Sequence, residues 1–143
     1  MDSRSLGYLA ELLDNSLTTL KSLRIETLNH GSEGGLCVNK LVNQLGLISA
    51  KANKIEYLEL DFEFTADCEP GSWWYRLDNM LCKPDGWPAL KRVSIGLSYS
   101  LRTPSLRTLE SDSWKHLPDE ALAGISSSKV IDLKYHLPSL TCP

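Results

Sequence analysis

A motif that recurs at an even interval constrains the fold more than any other feature of the sequence. Leu20–Ile25, Ile55–Leu60 and Leu90–Ile95 align without gaps 35 residues apart, and each reads L-x-x-L-x-L with aliphatic substitutions. A weaker fourth copy, Ser128–Leu133, follows 38 residues after the third and has serine in its first aliphatic slot. The alternation of apolar and polar residues predicts β-strands. A fixed period between about 20 and 50 residues is typical of solenoids.

In the segments between these motifs, apolar residues recur at helical spacing. Since short helices and strands with one apolar face are stable only when they pack together, the four helix–strand units are expected to stack. Stacking predicts a parallel sheet on one side, helices on the other, and right-handed crossovers. The predicted helical faces are Leu6, Leu9, Leu12 and Leu13; Leu41, Leu45 and Ile48; Trp74, Leu77 and Leu81; and, more weakly, Trp114, Leu117 and Ala121–Ile125.

The predicted fold class is therefore α/β, a short leucine-rich-repeat-like solenoid of about four helix–strand units. The 143 residues and the hydrophobic fraction of 42% suit one domain with a core of its own. The units are expected at roughly 5–30, 31–65, 66–100 and 101–136, with a C-terminal tail at 137–143.

Two stretches carry a family resemblance. Trp74, Leu77-Asp78 and Leu81, followed by Trp87-Pro88 and Leu90–Ile95, resemble the W–LD–L…[FW]-P-x-L-x-x-V-x-I pattern in the C-terminal repeats of fungal-type F-box proteins. The L-x-x-L-x-L core resembles leucine-rich repeats in general. The resemblance covers roughly residues 5–136. It implies a non-enzymatic protein–protein interaction module, specifically the substrate-recognition repeats of an F-box-type ubiquitin-ligase receptor.

Composition excludes several other classes. A net charge of −3 and a pI near 5.6 provide no overall basic field for nucleic acid or anionic membranes, so neither is an expected partner. No apolar run approaches the roughly 20 residues of a membrane span, and Glu11 and Asp14 interrupt the N-terminal apolar stretch where a signal peptide would need it. The four cysteines and three histidines lack metal-ligand spacing. A reducing compartment, cytoplasmic or nuclear, is expected.

The outward face of the sheet is the expected partner-binding surface, because the residues between the inward aliphatics alternate to that side. Across the four strands they form the columns Ser22/Tyr57/Arg92/Val130, Arg24/Glu59/Ser94/Asp132 and Glu26/Asp61/Gly96/Lys134. Tyrosine and arginine are enriched in binding hot spots, so Tyr57 and Arg92 are the preferred anchors. The predicted partner-binding residues are Arg24, Tyr57, Glu59, Asp61, Arg92, Asp132 and Lys134.

Two alternatives remain open at this point. One is a small α/β enzyme with its site at the carboxyl ends of the strands, near residues 26–35, 61–72 and 96–105. The other is a gene fragment without independent function, whose uncapped sheet ends would favour self-association. The glycine-rich segment His30–Gly35 lacks a phosphate-binding motif, and paired carboxylates such as Asp119 and Glu120 lack an orienting partner. No catalytic, cofactor-binding or metal-binding residue is therefore assigned.

Overall fold

Helices and strands alternate four times along the chain, in the predicted order. A computed structural model describes residues 7–29, 34–64, 73–100, 116, 118–128 and 131–141. Three of the four helices described there are shorter than ten residues, so their stability depends on packing against the strands. The elements are α1 (Leu9–Leu13), β1 (Ser22–Asn29), α2 (Gly34–Ser49), β2 (Tyr57–Phe64), α3 (Trp73–Leu81), β3 (Arg92–Ser100), α4 (Ala123–Ser126) and β4 (Asp132–Thr141).

The strands form one parallel sheet in the order β1-β2-β3-β4, so each strand pairs with its neighbours in sequence. Ser22 pairs with Tyr57 and Tyr57 with Arg92, which reproduces the 35-residue interval of the sequence motif. The predicted register of the first three strands is confirmed. The physical reason is the alternation, because a slip by one residue would turn every buried aliphatic to the solvent side.

The predicted register of the fourth strand is wrong by two residues. Arg92 pairs with Asp132 and Ser94 with Lys134, so the interval between β3 and β4 is 40 residues and not 38. A two-residue shift keeps the same side chains on the same face. At an interval of 40, Val130 takes the first aliphatic slot, which the shorter interval gave to a serine. Asp132 therefore belongs to the column of Tyr57, and Lys134 to the column of Ser94.

An irregularity in β4 allows a proline in the strand. Gly96 pairs with His136 but Ser98 pairs with Ser139, so β4 holds one extra residue around Pro138. Proline lacks a backbone donor and is found on edge strands and at bulges. The strand continues to Thr141 and so includes most of the segment that was expected to be a tail.

The core lies between the sheet and the helices. The predicted buried faces of α2 and α3 are confirmed, and Trp74 of α3 meets Phe62 of β2 edge to face, with ring centroids 5.0 Å apart. The prediction for Leu12 is wrong, since this side chain is 68% exposed. In α1 the buried direction lies between Leu9 and Ala10, and Leu12 points about 110° away from it. The fully buried side chains of α2, of α3, of the segment around α4 and of the strands include Leu41, Leu45, Ile48, Trp74, Leu77, Leu81, Leu58, Leu60, Val93, Ile95, Leu122 and Ile125.

Asn53 joins the second unit to the third. Its buried side-chain amide donates to the carbonyl oxygen of Gly86 at 3.0 Å, and more weakly to that of Ile48 at the end of α2. Its side-chain oxygen accepts from the backbone N–H of Ile55 at 3.4 Å. Gly86 belongs to the turn after α3, in which Asp85 has a φ of 62°, a left-handed conformation that aspartate tolerates.

Asp78 joins the third unit to the fourth in a comparable way. Its carboxylate accepts hydrogen bonds from the backbone N–H groups of Gly124 at 3.1 Å and Ile125 at 2.9 Å. A Cβ at position 124 would lie 2.6 Å from the nearer oxygen, so this close approach requires glycine. The carboxylate thereby satisfies donors at the start of the four-residue helix α4, which has no side-chain cap of its own.

Candidate binding surface on the sheet

The seven predicted partner-binding side chains lie together on the side of the sheet opposite the core. We call this surface the sheet face and define it by these residues. The side chains range from 32% exposed at Asp61 to 60% at Arg24, whereas Leu58 and Leu60, which alternate with them on β2, are buried. The strand alternation alone explains this separation. The residues are Arg24, Tyr57, Glu59, Asp61, Arg92, Asp132 and Lys134.

Arg24 organises the charges on the β1–β2 half of the sheet face. Its Nε donates to Oδ2 of Asp61 at 3.0 Å and lies 3.7 Å from Oε2 of Glu59, while its Nη2 lies 2.8 Å from Oε1 of Glu26. The hydrogen bond to Asp61, followed by the charge of Glu59, raises the pKa of Arg24 above its ordinary value. Glu59, the predicted neighbour, is thus a partner of Arg24, but the diagonal contact with Asp61 is shorter.

Gly96 on β3 makes room for this arrangement. It pairs with Asp61 across the sheet, and a Cβ at position 96 would lie 2.6 Å from Oδ1 of that carboxylate. A side chain there would push Asp61 away from its position beside Arg24. The glycine that follows the third motif copy is therefore explained by the close approach of a neighbouring carboxylate.

The β3–β4 half of the sheet face has the opposite charge pattern. Nε of Arg92 lies 3.4 Å from Oδ2 of Asp132, and Nζ of Lys134 lies 3.6 Å from the same oxygen. Both distances are long for charge-assisted hydrogen bonds. The side chains of Arg92 and Lys134 are 52% and 53% exposed. Two half-exposed cations thus share one carboxylate.

A shallow depression lies in the middle of the sheet face, between these two groups of charges. Its volume is about 320 Å³. Tyr57, which is 44% exposed, contributes an aromatic ring and a hydroxyl to it. We call it the Tyr57 depression, and it is lined by Tyr57, Leu58, Glu59, Arg92, Ser94 and Lys134. It combines an apolar surface with hydrogen-bond donors, as protein-binding hot spots do.

A ladder of alternating charges at the start of the strands was missed by the sequence reasoning. Glu56 lies 2.7 Å from Nζ of Lys91 and 3.9 Å from Nζ of Lys21. The hydrogen bond from Lys91 lowers the pKa of Glu56 below its ordinary value, and the same bond raises the pKa of Lys91. The signal was available, since the second position of the repeat reads Lys, Glu, Lys at equal intervals. The sequence-derived columns began one position later.

A second cavity, of about 610 Å³, opens beside β4, the last strand of the sheet. Its lining includes Ile131, Leu133 and Tyr135, which are only partly buried, and Pro118 and Ser126 from the segment around α4. In the sheet interior the corresponding strand positions, such as Val93 and Ile95, are fully buried. The partial exposure follows from the position of β4 at the edge, where the described residues provide no further strand.

Reactive groups elsewhere on the described part of the chain include the exposed free thiol of Cys82. Partial burial of this thiol, followed by the charge of the nearby carboxylate of Asp78, raises its pKa above the ordinary value. The described residues contain no cluster of three or more potential metal ligands, and no described helix is long and apolar enough to cross a membrane. The glycine-rich segment at 30–33 and residues 65–72 and 101–105, which belong to the stretches expected for an enzyme site, lie outside the described residues.

The surface thus offers an aromatic ring, two solvent-facing cations and a group of carboxylates on rigid strands. These groups are capable of binding a polar polypeptide partner. Comparison with known proteins adds no relative to this description. No protein-family model, no curated protein and no solved structure matches the chain.

Proposed function

We propose that the chain is a non-enzymatic protein-binding module, and that its partner docks on the sheet face. The observation that carries this proposal is the Tyr57 depression, flanked by two groups of charged side chains on an exposed surface. Strands hold these side chains at fixed separations, so a partner meets a preformed surface and little conformational entropy is lost on binding.

Tyr57 and Arg92 are the proposed anchors. They are paired residues on adjacent strands, and both line the depression. A tyrosine supplies a large contact area with few rotatable bonds, and an arginine supplies five donors in a planar group. Glu59, Ser94 and Lys134 surround them with polar groups, which resembles the polar rim of an interface around an aromatic centre.

We further propose that the architecture is a short solenoid of the leucine-rich-repeat type, and that its role is substrate recognition in an F-box-type ubiquitin-ligase receptor. The support for the solenoid is the equal interval between paired residues of β1, β2 and β3. The support for the receptor role is the sequence resemblance alone. In repeat proteins of this kind, partners commonly bind along extended open surfaces.

Site-specific photo-crosslinking tests the proposed function. We would replace Ser94, in the depression, by the crosslinking amino acid p-benzoylphenylalanine in cells that express the chain. The matched control places the same amino acid at Tyr75, which is 53% exposed on α3. We expect a discrete protein adduct from position 94 and none from position 75. Equal adduct patterns at the two positions, or no adduct at position 94, would contradict a partner on the sheet face.

Affinity measurements on the crosslinked partner then test the anchors. We expect Tyr57→Ala to weaken binding by about thirtyfold or more, because truncation of a hot-spot tyrosine costs about 2 kcal/mol or more. Tyr75→Ala, a matched change at a similarly exposed tyrosine, should leave the affinity unchanged. Circular dichroism of both variants would verify that the fold is intact.

A further inference from the structure

The charges of the sheet face are separated into two halves of opposite sign. We propose that the partner segment is bipolar, with a carboxylate that binds at Arg92 and Lys134 and a cationic side chain that binds at Glu59 and Asp61. This inference rests on the proposed function and specifies the chemistry of its partner. The chain as a whole carries a net charge of −3, so a basic half on this surface does not follow from the composition.

The basic half has unused capacity to bind an anion. Arg92 and Lys134 share the single carboxylate of Asp132, at 3.4 and 3.6 Å. An arginine has five N–H donors and a lysine three, and only one carboxylate occupies them here among the described residues. The hydroxyls of Tyr57 and Ser94 line the same depression and can donate to a second carboxylate. A partner's aspartate or glutamate would therefore be coordinated by two cations and up to two hydroxyls.

In the acidic half, carboxylates outnumber cations. Arg24 is the cation that both Glu59 and Asp61 contact, so two carboxylates of this half share one positive charge. Each carboxylate has two oxygens, and the contacts with Arg24 engage one oxygen of each. Oδ1 of Asp61 lies over Gly96, which has no side chain to cover it, and the Asp61 side chain is 32% exposed. A partner's lysine or arginine would find acceptors at these oxygens.

The sheet fixes the separation of the two halves. From the midpoint of Arg92 and Lys134 to that of Glu59 and Asp61 the distance is about 7 Å along the strands and about 7 Å across them, hence about 10 Å diagonally. An extended chain advances about 3.3–3.6 Å per residue. The opposite charges of an extended partner segment should therefore lie about three residues apart, on a line that passes over the Tyr57 depression.

Binding of synthetic peptides to the whole chain tests this inference by fluorescence anisotropy. The probes are labelled peptides of about twelve residues. One has two glutamates and two arginines about three residues apart, a second has the same residues adjacent, and two more are uniformly acidic and uniformly basic. We expect the spaced bipolar peptide to bind about tenfold more tightly than the others at about 0.05 M salt. Its affinity should fall at about 0.5 M salt, where exposed charges are screened.

Charge-reversed variants test whether Arg92 and Lys134 bind the acidic end of the peptide. Arg92→Glu together with Lys134→Glu should abolish the preference for the spaced bipolar peptide and strengthen binding of the basic one. Lys40→Glu together with Lys83→Glu makes the same change in net charge away from the sheet face and should leave the preference intact. The inference is overturned if a uniformly charged peptide binds the unmodified chain as tightly as the bipolar one, or if no peptide binds. The crosslinking result at Ser94 would still stand in either case, so failure of the partner chemistry is distinguishable from failure of the proposed function.

Discussion

Replacement of Asn53 by alanine tests how strongly the second and third units are coupled. The side chain is buried, with 3% of its surface exposed, and it bridges the carbonyl of Gly86 and the N–H of Ile55. Alanine would leave both backbone groups without this partner. A buried polar group that loses its partner costs about 1–3 kcal/mol. Because the contact with the N–H of Ile55 is long, at 3.4 Å, we assign it about 1 kcal/mol, so the expected loss is about 2–4 kcal/mol in total. This loss is a large fraction of the free energy of unfolding, which is roughly 5–15 kcal/mol for a typical domain.

Urea denaturation followed by circular dichroism measures this loss. With an m-value of about 2 kcal/mol/M, we expect Asn53→Ala to lower the midpoint by about 1–2 M. Asn39→Ala is the matched control, because Asn39 makes an exposed hydrogen bond to Arg76 at 3.0 Å between α2 and α3. Its effect should stay within about 0.5 kcal/mol. If the two variants have the same midpoint, Asn53 does not couple the units and this reasoning is refuted.

Three further predictions concern the core, a helix and the charge ladder. Leu58→Asp places a carboxylate at a position that is 1% exposed, so it should lower the free energy of unfolding by several kcal/mol and lower the melting temperature. Leu12→Asp, at 68% exposure, is the control and should have little effect. Equal melting temperatures of the two variants would mean that the register of β2 is wrong. Gly46 lies in the interior of α2, and a Cβ added there would meet no neighbouring group within 4 Å outside the helix's own backbone. Gly46→Ala should therefore raise the free energy of unfolding, measured by urea denaturation, by about 0.5–1 kcal/mol. A lower free energy of unfolding would contradict a helix at this position. Because Lys91 and Lys21 lower the pKa of Glu56 below 4.5, its ionised form stabilises the fold above that pH, and this stabilisation is lost as the pH falls through the lowered pKa. Glu56→Gln should therefore flatten the dependence of the melting temperature on pH between about pH 5 and 3.

Much of the sheet face follows from the sequence by the alternation of the strands. The columns that join β1, β2 and β3 depend only on the equal interval between motif copies and on the two-residue period of a strand. This is why the sequence alone predicts Tyr57 beside Arg92 and Arg24 beside Glu59, and the strand pairing confirms both. The predicted register of the fourth strand is wrong because its motif is degenerate, and two registers that differ by two residues turn the same face of the strand inward.

Local periodicity in the sequence is enough to predict the order of the elements, the inward and outward faces of the strands and the first three registers. Which charges pair depends on the three-dimensional packing of the side chains. Arg24 reaches diagonally to Asp61, Gly96 provides the space for that carboxylate, and Asn53 and Asp78 bridge units that are distant in sequence. Such contacts depend on side-chain conformations and on the final position of β4, which no repeat period specifies. The polarity of the sheet face, and hence the proposed partner chemistry, arises from these contacts.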